Sequence, residues 1–299
     1  MKRLEDTNLF YTALFGSDEH LTGLLLVKNL EGSPSLIDGM DRLILALYDE
    51  DSIEGKAHAE HWKWSDMTIM VRRSTPERLN AWIVGSAQWQ SLQQWITFGE
   101  ILLDRDGYLA RTRDQLEQWP LLLREKRLIC AYSRFLGAYQ LAKQNLKDQH
   151  VMDAYTNILA ALNHWAHIVI IEEVLHPEPN VWEQVKRVNP GVFKLYDELT
   201  SSRETMDQRV NLVILAVEFA VLTKMKSSAS LILRILQSRS EPWTLAELQD
   251  HPDLADLHLE LSPLLRKLAH RGYILEVTKA VREPGFHLMD LRYMAASCE

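Results

Sequence analysis

The N-terminal third of the chain contains four short apolar runs, each bounded by the glycine, serine or aspartate residues that favour turns. Runs of this length, flanked in this way, predict β-strands. The segments between them are polar or have helical spacing of their apolar residues. The predicted strands are Leu21–Val27, Leu43–Tyr48, Met67–Val71 and Gly99–Leu103.

Helices are predicted around these strands. Residues 4–15 have one apolar face, and a second helix begins at Thr75 and Pro76, before a third at Ala87–Ile96. Thr75 can accept a hydrogen bond at the helix N-terminus, and Pro76 suits the first helical position because an N–H there would have no helical partner. Strands that alternate with helices predict an α/β domain over residues 1–115.

The next part, residues 116–226, is predicted to be a helical bundle domain. Its apolar residues recur every three or four positions, and glycine and proline are rare within the long stretches. The predicted helices are 113–147, 150–175, Asn180–Val188, Gly191–Leu199 and 203–226.

The C-terminal part, residues 227–299, has the order of elements of a winged helix. A helix that begins at Thr244 has Glu247 three residues later, which is the spacing of a capping box. The other predicted elements are helices Ser228–Gln237 and Leu259–His270, then strands Tyr273–Ala280 and Phe286–Tyr293. The predicted fold class is therefore α+β and multidomain: an α/β domain, a helical bundle and a C-terminal winged helix.

Composition changes this picture little. The chain has 299 residues, 46% of them hydrophobic, and a formal net charge of −8, which gives no general support for binding nucleic acid or acidic membranes. Cys130 and Cys298 are far apart and form no disulfide framework. No apolar run is long enough to cross a bilayer and no secretory signal is visible, so we expect a cytoplasmic location and no membrane association.

Candidate chemistry is concentrated between the first two strands. Gly32 and Ser33 can present backbone N–H groups and a hydroxyl to the phosphate oxygens of a nucleotide. Asp41 leads into the second strand and is a candidate catalytic residue and Mg²⁺ ligand, with Asp38 as a second candidate ligand.

This order of strand, Gly-Ser, loop, Asp and strand resembles the opening of the nucleotidyltransferase superfamily, to which DNA polymerase β-like proteins belong. In that superfamily two carboxylates one residue apart follow the Gly-Ser pair. Here Leu43 stands two residues after Asp41, and if Leu43 and Leu45 hold the family positions, both carboxylates are absent. The resemblance makes Asp66 a candidate third, catalytic carboxylate, or places Met70 there in a shifted register. Since two-metal chemistry needs several carboxylates, the pattern favours the fold more than the activity.

Three longer segments carry a wider resemblance. They are GSAQWQSLQQWITFGEILLDRDGYL, AALNHWAHIVIIEEVLHPEPNVWEQVKRVNPGVFKLYDEL, and ELQDHPDL with LSPLLRKLAHRGYILEV. In these segments the chain resembles the YgxA-type nucleotidyltransferase-like proteins of Gram-positive bacteria. The resemblance implies a nucleotidyltransferase-like domain, a helical domain like the substrate-binding domain of kanamycin nucleotidyltransferase, and a winged helix. It implies no particular reaction, because the family is named after its fold.

The same resemblance makes His164 and Lys186 candidate residues of a substrate cleft in the helical domain. His164 and His167 are three residues apart on a helix and can share one face. A metal pair is conceivable there, but packing or lining the cleft fits better. Lys186 can meet a substrate phosphate, although a cation–π or surface role is the stronger interpretation.

The third helix of the predicted winged helix is basic. Such a helix enters the DNA major groove in DNA-binding winged helices, and affinity for DNA depends largely on neutralising phosphates. Nearby acids weigh against DNA and favour packing against other domains or a protein partner. The basic residues are Arg266, Lys267, His270 and Arg271, and the acids are Glu247, Asp250, Asp253, Asp256 and Glu260.

Three functional hypotheses remain open from the sequence. The leading one is a degenerate nucleotidyltransferase that binds a nucleotide or small phosphorylated ligand in a cleft between the first two domains, with little or no catalysis. The first alternative is an active Mg²⁺-dependent nucleotidyltransferase that uses Asp41 and Asp66 on a small acceptor. The second is a winged-helix regulator that binds DNA or a protein partner.

Overall fold

The computed structural model describes residues 10–11, 14–28, 37–49, 59–85, 89–178, 180–257, 259–280 and 289–296. The chain divides into two compact units, Met1–Pro120 and Leu121–Glu299. In the described parts of the chain, no helix has both the length and the apolar character needed to cross a membrane.

The first unit is built on a five-stranded sheet with the strand order β3-β4-β2-β1-β5. The pair β2–β4 is parallel, whereas β1–β2, β1–β5 and β3–β4 are antiparallel. All four predicted strands are confirmed. The bounds are β1 Leu21–Lys28, β2 Arg42–Tyr48, β3 Ala59–Trp64, β4 Met67–Ser74 and β5 Glu100–Asp104.

Strand β3 was not predicted. It lies at the edge of the sheet, and its sequence, AEHWKW, is mostly exposed or half-buried. An edge strand with so few buried residues has no apolar run to reveal it; its backbone pairing with β4 holds it in place.

One face of the sheet carries an aromatic stack. On this face, Phe15 stacks on Trp62 with ring centroids 5.7 Å apart, above the buried residues Ile44 and Val71. The described residues 10–11 and 14–16 on this side are helical (α1); the rest of the predicted helix 4–15 lies outside the described residues. The helices α2 Pro76–Gly85, α3 Trp89–Phe98 and α4 Tyr108–Gln118 follow the strands on the chain.

Two helix ends in this unit have a local cause in the sequence. The backbone N–H of Arg78 donates to Thr75 Oγ1 at 3.3 Å, which confirms the predicted cap of α2. The predicted helix 113–147 is wrong at one point, since α4 ends at Gln118 and a new helix starts at Leu121. Pro120 disfavours helical backbone at the residue before it, and Trp119 accordingly adopts a left-handed φ of 50°.

The second unit begins with a helical region dominated by two long neighbouring helices. The face of α6 that carries Ala166, Val169 and Ile170 packs against Val185 and Val192 of the shorter helices. The bounds are α5 Leu121–Lys147, α6 Val151–Glu172, α7 Val181–Val188, α8 Pro190–Ser201, α9 Met206–Thr223 and α10 Met225–Ser228.

The C-terminal region has the predicted winged-helix arrangement. The capping box of Thr244 and Glu247 is confirmed, and Tyr293 pairs with Trp243 to extend the hairpin by one bridge. The elements are α11 Ser230–Gln237, α12 Leu245–Gln249, a short 3-10 turn Ala255–Leu257, α13 Leu261–His270, β6 Ile274–Ala280 and β7 Met289–Ala295.

The winged helix is fastened to the helical region through α5. Glu125, only 6% exposed, accepts a hydrogen bond of 2.8 Å from Arg234 of α11. Lys126 lies 3.0 Å from Asp253. Glu125 is buried but Arg234 is half exposed, so this pair orients the C-terminal region on α5 more than it adds to stability.

Two glycines of the second unit allow a stability test. A Cβ added at Gly137 or at Gly272 would meet no atom within 4 Å, but Gly272 has a left-handed φ of 73° and Gly137 is inside helix α5. We expect Gly137→Ala to raise the free energy of unfolding by about 0.4–1 kcal/mol, because alanine costs less backbone entropy in a helix. We expect Gly272→Ala to lower it by about 1–2 kcal/mol. Urea unfolding of both variants measures the difference, and equal effects would contradict it.

Candidate functional site

The structure places three of the predicted site residues of the first unit, Asp38, Asp41 and Asp66, before the starts of two neighbouring strands. These strands, β2 and β4, are parallel, with Arg42 level with Ile69. Asp38 and Asp41 precede β2, whereas Asp66 lies in the turn before β4. Gly32 and Ser33 lie outside the described residues.

Asp41 is bound to the start of β4. Its Oδ2 accepts hydrogen bonds from the backbone N–H of Thr68 at 2.7 Å and from the Thr68 hydroxyl at 2.8 Å. The backbone N–H of Asp41 in turn donates to the Thr68 carbonyl at 3.1 Å. The carboxylate therefore closes the open end of the parallel pair.

These contacts also set the charge of the Asp41 carboxyl. The backbone hydrogen bond from Thr68, then the Thr68 hydroxyl and the nearby Arg42 guanidinium, hold the pKa of Asp41 below its ordinary value of 3.8. Bonds donated to a carboxylate favour the ionised form. Asp41 is thus a charged structural acceptor at neutral pH and not a proton donor.

The positions after Asp41 on the same sheet face are apolar. Side chains alternate along a strand, so Leu43 and Leu45 share the face of Asp41, and both are fully buried. Met70 is level with Leu43 on β4 and is 3% exposed. In either register that the superfamily resemblance allows, β2 and β4 place no carboxylate on this face after Asp41.

Arg72 is the charged residue on this face. It is level with Leu45, its guanidinium lies 5.2 Å from the centre of the Trp95 ring, and its Nη2 lies 3.9 Å from Asp38 Oδ2. Asp38 itself has a left-handed φ of 51° and a side chain 73% exposed. The ion pair holds the Arg72 guanidinium near Asp38, which lies in the turn that follows Gly32 and Ser33 on the chain.

Asp66 is not part of the contacts described for Asp38, Asp41 and Arg72. It is exposed in a two-residue turn between β3 and β4, next to Ser65 with a left-handed φ of 55°. Thr68, two residues later, holds the contact with Asp41. The structure thus gives Asp66 the position of a hairpin turn residue.

The donor set does not fit a Mg²⁺ pair. Such a pair needs several carboxylate oxygens around two ions. Asp41 has one oxygen committed to Thr68, Asp38 faces Arg72, and the next inward positions are leucines. Across the described residues, no three His, Cys, Asp or Glu side chains come together as a metal-ligand group.

In the second unit, His164 lines a pocket of about 420 Å³ between α5, α6 and the segment that precedes α13. Gly137 forms part of its wall, and we call it the Gly137 pocket. Burial lowers the pKa of His164 to about 4, with further lowering by the positive neighbours His167 and Arg134. His164 is therefore a neutral hydrogen-bonding group at pH 7.

His167 has a different role from His164. Its Nδ1 lies 2.8 Å from the Asn163 carbonyl, which makes this nitrogen the N–H donor. Burial lowers the pKa of His167, while the bond to Asn163 opposes that shift. This geometry is that of a packed helix residue.

Lys186 lies at the surface of the short helix α7. Its Nζ is 5.2 Å from the centre of the Phe193 ring, a cation–π distance, so the structure provides the aromatic partner on the next helix. Trp182, one turn earlier, stacks on Tyr196 with centroids 3.9 Å apart. The cation is exposed and available to a ligand from this side.

The basic residues of α13 line a second pocket, of about 580 Å³. Arg266 and His270 are exposed, and Gln140 of α5 and Glu276 of the hairpin contribute to its wall. Desolvation, together with the neighbouring Arg271, lowers the pKa of Lys267. The helix thus presents a basic face beside the helical region.

Sequence reasoning missed Thr68 and Arg72. Thr68 lies on the predicted strand Met67–Val71 and shares the face of Asp41, so it had a signal in the sequence, whereas Arg72 lies one residue beyond the predicted end of that strand. Their partners had no such signal, because the register of a parallel pair depends on residues far apart in the sequence.

Three family models match successive parts of the chain. A nucleotidyltransferase-like model matches residues 10–124, a model described as a YgxA-like substrate binding domain matches residues 125–224, and one described as a helix-turn-helix domain matches residues 230–293. Together they run through most of the sequence in one consistent order.

Two similar proteins match nearly the whole length. The uncharacterized protein YgxA of Bacillus subtilis is 26% identical over 258 residues, which are 86% of this chain and 86% of YgxA. The crystal structure of a nucleotidyltransferase-like protein from Exiguobacterium sibiricum has a TM-score of 0.86 and 25% identity, and the match covers 98% of this chain and 100% of that one.

The contact between Asp41 and Thr68 leads to a pH-dependent prediction. Because the folded pKa of Asp41 is lowered, its contribution to stability is present above pH 3.8 and is lost as the pH falls through the folded pKa. We expect Thr68→Val to raise the Asp41 pKa toward 3.8 and Thr68→Ser, which keeps the hydroxyl, to leave it low. Carboxyl ¹³C titration by NMR measures it, and an unchanged pKa in Thr68→Val would contradict the assignment.

Proposed function

Because the chain belongs to the YgxA-type nucleotidyltransferase-like proteins, we propose that it is a degenerate nucleotidyltransferase that binds a nucleotide or another small phosphorylated ligand, with little or no transfer chemistry. The observation that carries the proposal is the face of β2 and β4 that follows Asp41. Buried Leu43 and Leu45 stand there where the superfamily resemblance leads us to expect carboxylates, and Arg72 lies level with Leu45 on the neighbouring strand.

The absence of carboxylates from these positions favours binding over catalysis. Phosphoryl and nucleotidyl transfer depend on divalent ions that neutralise the developing charge and orient the phosphates. Leu43 and Leu45 provide no metal ligand, and the Asp41 carboxylate is occupied by Thr68. The two buried leucines keep this face of the sheet packed, so the domain retains its fold.

Arg72 gives the proposal its mechanism. A guanidinium can bind two phosphate oxygens at once, so it can balance ligand charge that Mg²⁺ balances in an active enzyme. Its stacking on Trp95 and its ion pair with Asp38 orient it toward the end of the loop that contains Gly32 and Ser33. In this mechanism the ligand phosphate replaces Asp38 as the partner of the Arg72 guanidinium. The backbone of Gly32 and Ser33 supplies N–H donors to the phosphate.

Calorimetric titration with ATP and with GTP, each with and without Mg²⁺, tests the proposal. We expect Mg²⁺ to change the affinity little, and we expect Arg72→Met and Gly32→Asp to weaken binding at least about tenfold, a loss of about 1.4 kcal/mol. Arg73→Met is the matched control. Arg73 is the next residue, its side chain pairs with Glu60, and it lies over Trp62 on the other face.

Two outcomes would contradict this proposal. Equal binding by the wild type and Arg72→Met would remove the arginine from the site. Binding that requires Mg²⁺ and is lost in Asp41→Asn would instead favour the active, Mg²⁺-dependent nucleotidyltransferase and would justify a screen of acceptors.

A second candidate function is nucleic-acid binding by the C-terminal region. The specific observation in its favour is the helix-turn-helix match together with Arg266, His270 and Arg271, which are all exposed on or just after α13. Glu276 and the net charge of −8 oppose it. This binding would depend on phosphate contacts and therefore on salt.

Fluorescence anisotropy with a short DNA duplex at low salt tests the second candidate. If α13 contacts phosphates, Arg266→Ala and Arg271→Ala each weaken binding and lower the salt slope by about 1, since each removes one phosphate contact. Arg203→Ala, at an exposed position in the helical region, is the control for loss of charge. No anisotropy change at low salt would rule out duplex binding.

A further inference from the structure

The Gly137 pocket is independent of the loop and sheet face on which the proposed function depends. It lies wholly in the second unit, where α5 and α6 form its walls and Leu257, Leu259 and Glu260 form its border on the winged-helix side. Its volume of about 420 Å³ is within the range of roughly 300–1,000 Å³ that is typical of small-molecule sites.

Gly137 is the first observation that favours a functional role for the pocket. A glycine in the middle of a 27-residue helix destabilises that helix relative to alanine. Glycine is often needed where two backbones approach closely, but a Cβ here would meet no atom within 4 Å. No packing contact therefore requires glycine, and what it preserves is open space in the wall of the pocket.

The polar groups of the pocket indicate the charge of a ligand. Arg134 is a permanent cation on the same helix, one turn before Gly137, and its charge contributes to lowering the pKa of His164 across the pocket. His164 is neutral and can donate or accept one hydrogen bond. Glu260 is a carboxylate on the border whose charge opposes an anion, but its side chain is exposed to solvent, so Arg134 is the group that favours an anionic ligand.

The remaining wall is partly apolar and carries no reactive group. Ala138, Leu141 and Leu257 provide an apolar stretch on which a slender or flat hydrocarbon body can pack, and Ser133 and Asn157 are the polar residues beside it. Burial raises the pKa of the Cys130 thiol, whose Sγ lies 3.9 Å from the Leu257 carbonyl. This thiol is protonated at neutral pH, so binding without covalent chemistry is the expectation.

We propose that the Gly137 pocket binds a small organic anion, a carboxylate or phosphate monoester with an apolar body, whose charge pairs with Arg134 while its body lies over Gly137. This site is separate from that of the proposed function. Because residues 257 and 259–260 border the pocket and lead directly into α13, an occupant also holds the start of that helix against α5.

Ligand-observed NMR titration of the full chain tests the proposal with benzoate and phenyl phosphate as probes. Benzyl alcohol and benzylamine have the same ring without the negative charge. We expect both anions to bind and the neutral and cationic compounds to bind at least about tenfold more weakly, in line with the charge of Arg134. Comparison of benzoate with phenyl phosphate shows which anionic group the pocket prefers.

The decisive variant is Gly137→Leu. Leucine is a good helix former and its side chain has room to enter the pocket, so the variant should fold and should weaken benzoate binding at least about tenfold by occupying the site. Asn163→Leu adds an apolar side chain at an exposed position of α6 that does not line the pocket and is the matched control. Arg134→Met should remove the preference for anions but keep the pocket.

A second readout follows the link to α13. Benzoate should slow amide hydrogen exchange in the first turn of Leu261–His270 in the wild type and not in Gly137→Leu. Undetectable binding of both anions at millimolar concentration, equal binding by Gly137→Leu and the wild type, or equal binding of benzylamine and benzoate would each overturn the proposal. Arg72→Met should leave benzoate binding unchanged, which separates this result from failure of the proposed function.

Discussion

The contact between Asp41 and Thr68 is the constraint on which the first unit depends. Strands β2 and β4 are parallel, so no hairpin joins them, and their register must be set by side chains and by the chain between them. The Asp41 N–H donates to the Thr68 carbonyl, and the Asp41 carboxylate accepts from the Thr68 N–H and hydroxyl. This contact at the start of the pair supports the register in which Leu43 lies beside Met70 and Leu45 beside Arg72.

The register of β2 and β4 changes the role that Asp41 can have. As an isolated aspartate after a Gly-Ser loop it is a metal-ligand candidate, but in the structure its charge is satisfied by donors of the neighbouring strand. A carboxylate that stabilises a strand pair would have to exchange hydrogen bonds for a metal, with two leucines in place of further ligands. The arginine on the same face can balance negative charge without such an exchange, and this difference is the physical basis of the proposal that the chain binds a phosphorylated ligand and does not transfer it.

Local signals in the sequence predicted most elements and several caps. Thr75, Thr244 and Glu247 act within one helical turn, so their roles can be read without the fold. The break at Trp119 also had a local signal, Pro120, whereas the edge strand β3 had none because few of its residues are buried. Arg72 and the Gly137 pocket were beyond sequence reasoning, since the first depends on strand register and the second on how α5 and α6 pack against the segment before α13.

Helix α5 shows how the second unit combines support with an open site. Near its start, Glu125 and Lys126 hold the winged helix through charged partners, and about three turns later the same helix has a glycine facing empty space. Filling that space with a methyl group would have improved the helix at no steric cost. The same helix therefore anchors the C-terminal region on one stretch and, at Gly137, gives up helix stability beside the pocket for which we propose a ligand. The C-terminal region, which borders that cavity, is then positioned to respond to its occupant.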